Sequence, residues 1–555
     1  MPTSPPKWDA VGVFYISLCT IWTTLLLAGI AFCLYNRRIP MLRVRGLPLS
    51  FSAIALLHVY WILGQLSYPV GATMPTVLAY DIQYFGMGIY FPLGIALFQA
   101  SNLRFLHIAK MQRQQFYCQE VKPNRRGKDS NASWLSRLKN MDYMNRAFLF
   151  IGIGMVVQFL LSVGMWLACA KYHPTYGVHG TELRGSTLPE QILYLGRGWE
   201  WWPTVLWQAI WTWIAAPFLI WKAWGIRDTM GWRTQTIGCC LCSLHATPMF
   251  LIATYSPAFQ KVNAYFTPSQ WIHVSIFMWE IFTVFVPIIE VVKLWTMSRK
   301  TKKINESMTK CNSRSSATLL PRSTSVTKNT SSSSLAEKGQ VIKVLDDSAG
   351  DRLYTMDALE QTLSANANEL REFAALSDFS GENIAFLNAV VKWKASWPET
   401  PNINDERQMI GAFNQALRIY AEFISPHDAE FPLNISSQSL RHMQSIFERP
   451  ARILCGEKIV NEATPFDQGF ELSSTSTLDI QANYTGEIPA GFDMAILDAV
   501  QDHVKYLVLT NTWPKFVRAM RRQSIGSEET DFSTESNTSF RSWISEKRAR
   551  LQSLL

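Results

Sequence analysis

Seven long apolar runs, all before about residue 297, constrain this chain more than any other feature. They lie at about Val11–Tyr35, Leu47–Leu66, Val77–Ala100, Ala147–Cys169, Pro203–Trp221, Thr236–Tyr255 and Trp271–Trp295. Each is near the ~20 residues that a helix needs to cross a bilayer core. After them the composition changes to Ser, Thr, charge and ordinary amphipathic periodicity. Of 555 residues, then, roughly the first 297 read as a transmembrane bundle and the rest as an aqueous, all-helical part. The expected fold class is all-α throughout.

The net charge of +9 is not a nucleic-acid signal, because the basic residues mostly flank the apolar runs. The connections after runs 1, 3 and 5 and the segment just past run 7 hold twenty-two Lys and Arg. The N-terminus and the other three connections hold five. By the positive-inside rule the N-terminus is outside and the C-terminal half cytosolic. Met1–Asp9 carries only Lys7 and no cleavage pattern, so no removable signal peptide is expected.

Ionisable side chains inside the runs are costly and should face the bundle interior. His58, His245 and Glu280 fall near mid-span, and Asp81 nearer the outer face. They read either as a pocket for a small extracellular ligand or a proton, or as hydrogen bonds that hold helices together. The indoles of Trp199, Trp201, Trp202, Trp207, Trp211 and Trp213 fit an interfacial belt or a ligand lid. Cys239, Cys240, Cys242 and His245 lie along one span, where packing is a better reading than metal ligation. No metal and no cofactor is expected.

Residues 298–352 are rich in Ser, Thr and Lys and read as a disordered linker. Beyond it stands Asp378-Phe379-Ser380-Gly381-Glu382-Asn383-Ile384-Ala385-Phe386-Leu387. Ser380 suits a helix start, and Glu382 in the first turn complements the helix dipole. Ile384, Leu387 and Val391, widened by Phe386, Val390 and Trp393, give a core-facing stripe. Upstream lie Ala358–Leu363 and Leu370–Phe373; downstream lie Ile419–Ser425, Leu433–Ser436, Phe492-Asp493 and Asn511–Val517.

In this order the blocks resemble an RGS domain, the helical module that speeds GTP hydrolysis by heterotrimeric G-protein α subunits. The resemblance covers 353–522, with an insertion at about 451–490; residues 523–555 form a tail. It implies that Phe379, Glu382, Asn383, Asn434, Thr512 and Lys515 contact Gα, with Asn434 beside the catalytic Gln of the GTPase. Phe379 also fits a core position, Asn383 a helix cap and Asn434 a turn. The chain departs from the family pattern at Asn511-Thr512, which lacks a carboxylate, and at Lys515, which replaces a planar guanidinium. Arg521-Arg522-Gln523-Ser524 resembles a kinase site, with Ser524 as acceptor.

The membrane half lacks the acidic-Arg-aromatic and Asn-Pro…Tyr signatures of rhodopsin-like receptors. Taken whole, the chain resembles the seven-span RGS proteins of plants and filamentous fungi. That implies a GTPase activator of the plasma membrane, or of an endomembrane, whose partners are Gα, the bilayer and an extracellular ligand. The alternative is a seven-span receptor, sensor or transporter whose RGS-like domain only scaffolds Gα. An enzyme with its own active site is not expected, since the chain has no phosphate loop, HExxH or nucleophile elbow. Nor is a nucleic-acid partner.

Overall fold

The structure, a computed structural model, describes residues 5–118, 143–173, 175–316, 353–397, 406–455 and 484–530. Among the described residues the regular elements are helices, and the one extended pairing is an isolated bridge between Cys169 and Val178. Two compact units form. The first contains the described part of Met1–Lys293 with the short segment Ala375–Gly381; the second contains the rest of the described chain.

Among the described residues six helices are long and apolar enough to cross a membrane: Ala10–Tyr35, Leu47–Thr73, Asn145–Ala168, Leu188–Trp224, Trp232–Tyr255 and Gln270–Ser307. Leu25, Leu160 and Ile214 are exposed along them, as lipid-facing side chains would be. The expected third run is helical from Thr76 to Tyr117 but is not one of the six. Asp81, Gln83 and Gln99 dilute its apolar content. The bundle core is aromatic: Phe98 stacks on Trp279 at 4.6 Å, and Tyr60, Trp61 and Phe91 are buried around it.

Six single π turns interrupt the described helices, at Gly86–Tyr90, Arg113–Tyr117, Ile210–Ala215, Ile281–Phe285, Tyr420–Ile424 and Val508–Thr512. In five of them a proline stands two residues past the end: Pro92, Pro217, Pro287, Pro426 and Pro514. Proline donates no hydrogen bond and its ring collides with the carbonyl four residues back. A widened turn moves that carbonyl aside, and the residue before the proline bonds five back instead, as Phe91 N does to Gly86 O. Pro248 acts differently. The helix breaks at Leu244–His245, three to four residues before it, between Trp232–Ser243 and Ala246–Tyr255.

The last apolar helix does not stop where its apolar run ends. It runs from Val286 to Ser316, through the first part of the expected linker. Ser298–Ser316 contains no Gly or Pro, and extending an existing helix avoids the cost of nucleating one. The rest of the linker, to Asp351-Arg352, lies outside the described residues.

The second unit is built from Met356–Leu376, Gly381–Ala395, Glu406–Ile419, Ser437–Cys455, Asp498–Leu507 and Trp513–Thr530. Its core joins Phe386 to Phe423 at 6.0 Å and Phe413 to Phe447 at 5.7 Å. Trp393, buried, donates its indole N–H to Ala412 O at 2.9 Å. Ile384, Phe386, Leu387 and Val390 are buried as the stripe requires, whereas Val391 is exposed. Of the expected insertion, Ala451–Cys455 continues a helix, 456–483 lies outside the described residues, and the chain resumes at Tyr484.

Candidate functional site

Of the expected mid-span residues, the structure brings His58 and Glu280 together. His58 Nδ1 lies 2.8 Å from Glu280 Oε1, with the two side chains 9% and 0% exposed. The Ala10–Tyr35 helix completes the group with two adjacent residues that sequence reasoning missed. Trp22 donates its indole N–H to Glu280 Oε2 at 2.5 Å, and Thr23 Oγ1 lies 3.0 Å from His58 Nε2. Trp61, one turn from His58, stacks on the imidazole at 5.4 Å. Three long apolar helices thus meet through four polar side chains. A tryptophan and a threonine in an apolar run read as packing residues, so no local signal marks them.

His245 is not part of this group. It sits at the helix break, where its backbone carbonyl accepts from Met249 N at 3.0 Å. Asp81 belongs to a separate contact, accepting from Trp166 Nε1 at 2.5 Å. Another buried residue, His273, was not singled out by sequence. Its Nδ1 lies 3.3 Å from Gln270 Oε1, and its ring packs on Tyr60 at 4.5 Å.

A second buried ionic cluster joins parts of the chain that read as loop and interface. Lys171 Nζ lies 2.6 Å from Glu200 Oε1, and Tyr172 donates its hydroxyl to the same oxygen at 3.2 Å. The ammonium also lies over the Tyr172 and Tyr194 rings, 5.5 and 5.1 Å from their centroids. Gly198 makes room for this: a Cβ there would lie 2.0 Å from a Glu200 carboxylate oxygen.

Elsewhere in the first unit, Arg45 is buried against Gln235 and the Met230 carbonyl. Burial lowers its pKa to about 10, opposed by the charge of Asp228. Asp228 is itself pushed up by burial, though it accepts from the Met230 and Arg233 amides.

The residues implied by the RGS resemblance divide into accessible and buried. Glu382 and Asn383 occupy the first turn of Gly381–Ala395 and are partly exposed. Asn434 is also partly exposed. Its loop is pinned by Leu433 N donating to Phe423 O at 2.8 Å and by His503 Nε2, 3.1 Å from Asn434 O. Lys515 is partly exposed near the start of Trp513–Thr530. Thr512 is buried, at the end of a π turn.

Phe379, in the segment that clusters with the first unit, is buried with its ring 6.0 Å from that of Phe105. Its φ of 47° is one that bulky residues adopt only when their surroundings hold them there. The Ser524 side chain lies outside the described residues.

No protein-family model matches the chain, and no curated protein or solved structure does either.

Proposed function

We propose that this protein is a membrane-anchored regulator of heterotrimeric G-protein signalling whose second unit accelerates GTP hydrolysis by a Gα subunit. In this reading the bundle has seven spans, with Thr76–Tyr117 as the third, and sits in the plasma membrane with its N-terminus outside. One observation carries the proposal: the polar residues of two separate RGS-like blocks, Glu382-Asn383 and Asn434, are accessible on one helical unit. Gα carries its catalytic arginine in cis, so an activator need supply no charged finger. It has to hold the switch segments in their transition-state arrangement, and preorganised carboxamides and carboxylates on short turns suit that task.

The test is single-turnover GTP hydrolysis by purified Gα, with and without the full-length protein in lipid nanodiscs. Acceleration that saturates with the amount of protein supports the reading. Binding to Gα without acceleration would leave a scaffold, and no binding to the transition-state mimic would remove Gα as partner.

A further inference from the structure

We propose that His58 and Glu280, with Trp22 and Thr23, form a reversible proton-binding site inside the membrane half. Ala10–Tyr35, Leu47–Val70 and Gln270–Phe285 contain no Lys, Arg or Asp, and Glu280 is their one carboxyl group. Their other titratable groups are Tyr15, Cys19, Cys33 and the terminal Tyr35 on the first helix, Tyr60 and Tyr68 on the second, and His273 two turns before Glu280. The neighbouring Trp232–Ser243 helix adds Arg233 at its start and Cys239, Cys240 and Cys242 further along. Ala246–Tyr255 adds its terminal Tyr255, with His245 just before it, and Thr76–Gln112, packed against the His58 helix, adds Tyr80, Asp81, Tyr84 and Tyr90 in its first half and Arg104, His107 and Lys110 in its second.

What separates this group from a structural tie is that each partner of the imidazole can reverse its role. With neutral His58, Nδ1–H donates to Glu280 Oε1 at 2.8 Å while Nε2 accepts from the Thr23 hydroxyl at 3.0 Å. Adding a proton at Nε2 requires only that the hydroxyl turn and accept, since Ser and Thr hydroxyls both donate and accept. A proton placed on Glu280 Oε1 instead can be donated back to Nδ1. The indole of Trp22 keeps Oε2 bonded in either state. Both imidazole nitrogens keep a partner on loading, so the ring escapes the usual penalty for an unpaired buried polar group.

The buried Lys171–Glu200 pair lacks this property. An ammonium has donors only, and loading or unloading either partner leaves the other without its match. Intramembrane charge is expensive enough that a group able to gain a proton with its hydrogen bonds intact is a functional element before it is a brace.

The experiment is infrared difference spectroscopy on the full-length protein in lipid nanodiscs, stepped from about pH 4 to about pH 9 to bracket ordinary carboxyl and imidazole values. The expected result is a carboxylic-acid carbonyl or paired carboxylate and imidazole band that titrates, is lost in Glu280→Gln and is displaced in His58→Gln. Should Glu280→Gln fail to fold, Trp22→Phe removes only the donor to Oε2 and should shift the same band. A spectrum with no titrating band that responds to Glu280→Gln, or to Trp22→Phe where the former does not fold, overturns the proposal. The four side chains are then a fixed brace.

Discussion

Lys171 and Glu200 form a salt bridge almost wholly removed from solvent, 2.6 Å from ammonium to carboxylate, although each follows a different apolar helix or loop. A buried pair of this kind contributes modestly when intact, because desolvation offsets attraction, but leaves an uncompensated charge when one partner goes. Lys171→Met or Glu200→Gln alone should each lower stability by about 3–5 kcal/mol. The paired change should recover much of that loss. Thermal unfolding of the detergent-solubilised protein measures it, and additive losses in the double variant would contradict the coupling.

The start of the first membrane helix should be acid-sensitive. Asp9 accepts from the Tyr68 hydroxyl at 2.6 Å and from Gly12 N at 2.7 Å, and these bonds, the first foremost, lower its pKa. A carboxyl depressed in the folded state contributes stability that is complete above its unfolded value of about 3.9. That contribution is lost as pH falls through the lower folded value. The difference in melting temperature between wild type and Asp9→Asn should therefore narrow below about pH 4. A difference that stays constant through acid would assign the effect to something other than ionisation.

Gly64 is a point of close helix approach. A Cβ there would fall 2.0 Å from His273 Cε1, so Gly64→Ala must displace a buried ring. Overpacking of this sort costs about 1–3 kcal/mol. The same substitution in a His273→Ala background should cost far less, and a double-mutant cycle by thermal unfolding tests it.

For the proposed activity, Asn434→Ala and the joint change Glu382→Ala with Asn383→Ala should each remove most of the GTPase acceleration. Loss of one preorganised polar contact costs about 10²–10³ in rate. These side chains are partly exposed and stand outside the Phe386, Phe423 and Trp393 core, so circular dichroism and melting should stay near wild type. Wild-type acceleration in both variants would detach the activity from this surface.

The sequence carried the helical class because bilayer-length apolar runs and 3.6-residue stripes are local signals. It carried half of the intramembrane group, His58 and Glu280, because charge in an apolar run stands out. Trp22 and Thr23 do not stand out; their role exists only once three helices cross. Lys171 and Glu200 were hidden for the opposite reason, since charges between apolar runs count as topology signals and burial cannot be read from them. His245 stood out for the same reason as His58 but lies outside the group, in the turn between Trp232–Ser243 and Ala246–Tyr255. Pro248 held the information, but the break it causes falls three to four residues upstream, where nothing in the residues themselves marks it.

The π turns carry an implication for how these helices can change. Each holds one residue more than an α-helical turn needs, and in five of six the proline two places on makes that surplus useful. Surplus residue and proline are therefore epistatic. Deleting one residue from Ile281–Phe285 alone would drive the Pro287 ring into a carbonyl, and replacing Pro287 alone would leave an unneeded widening. Removing both should restore a regular helix with the faces on either side still in phase. Two lesions that each harm this membrane helix would then be mutual suppressors.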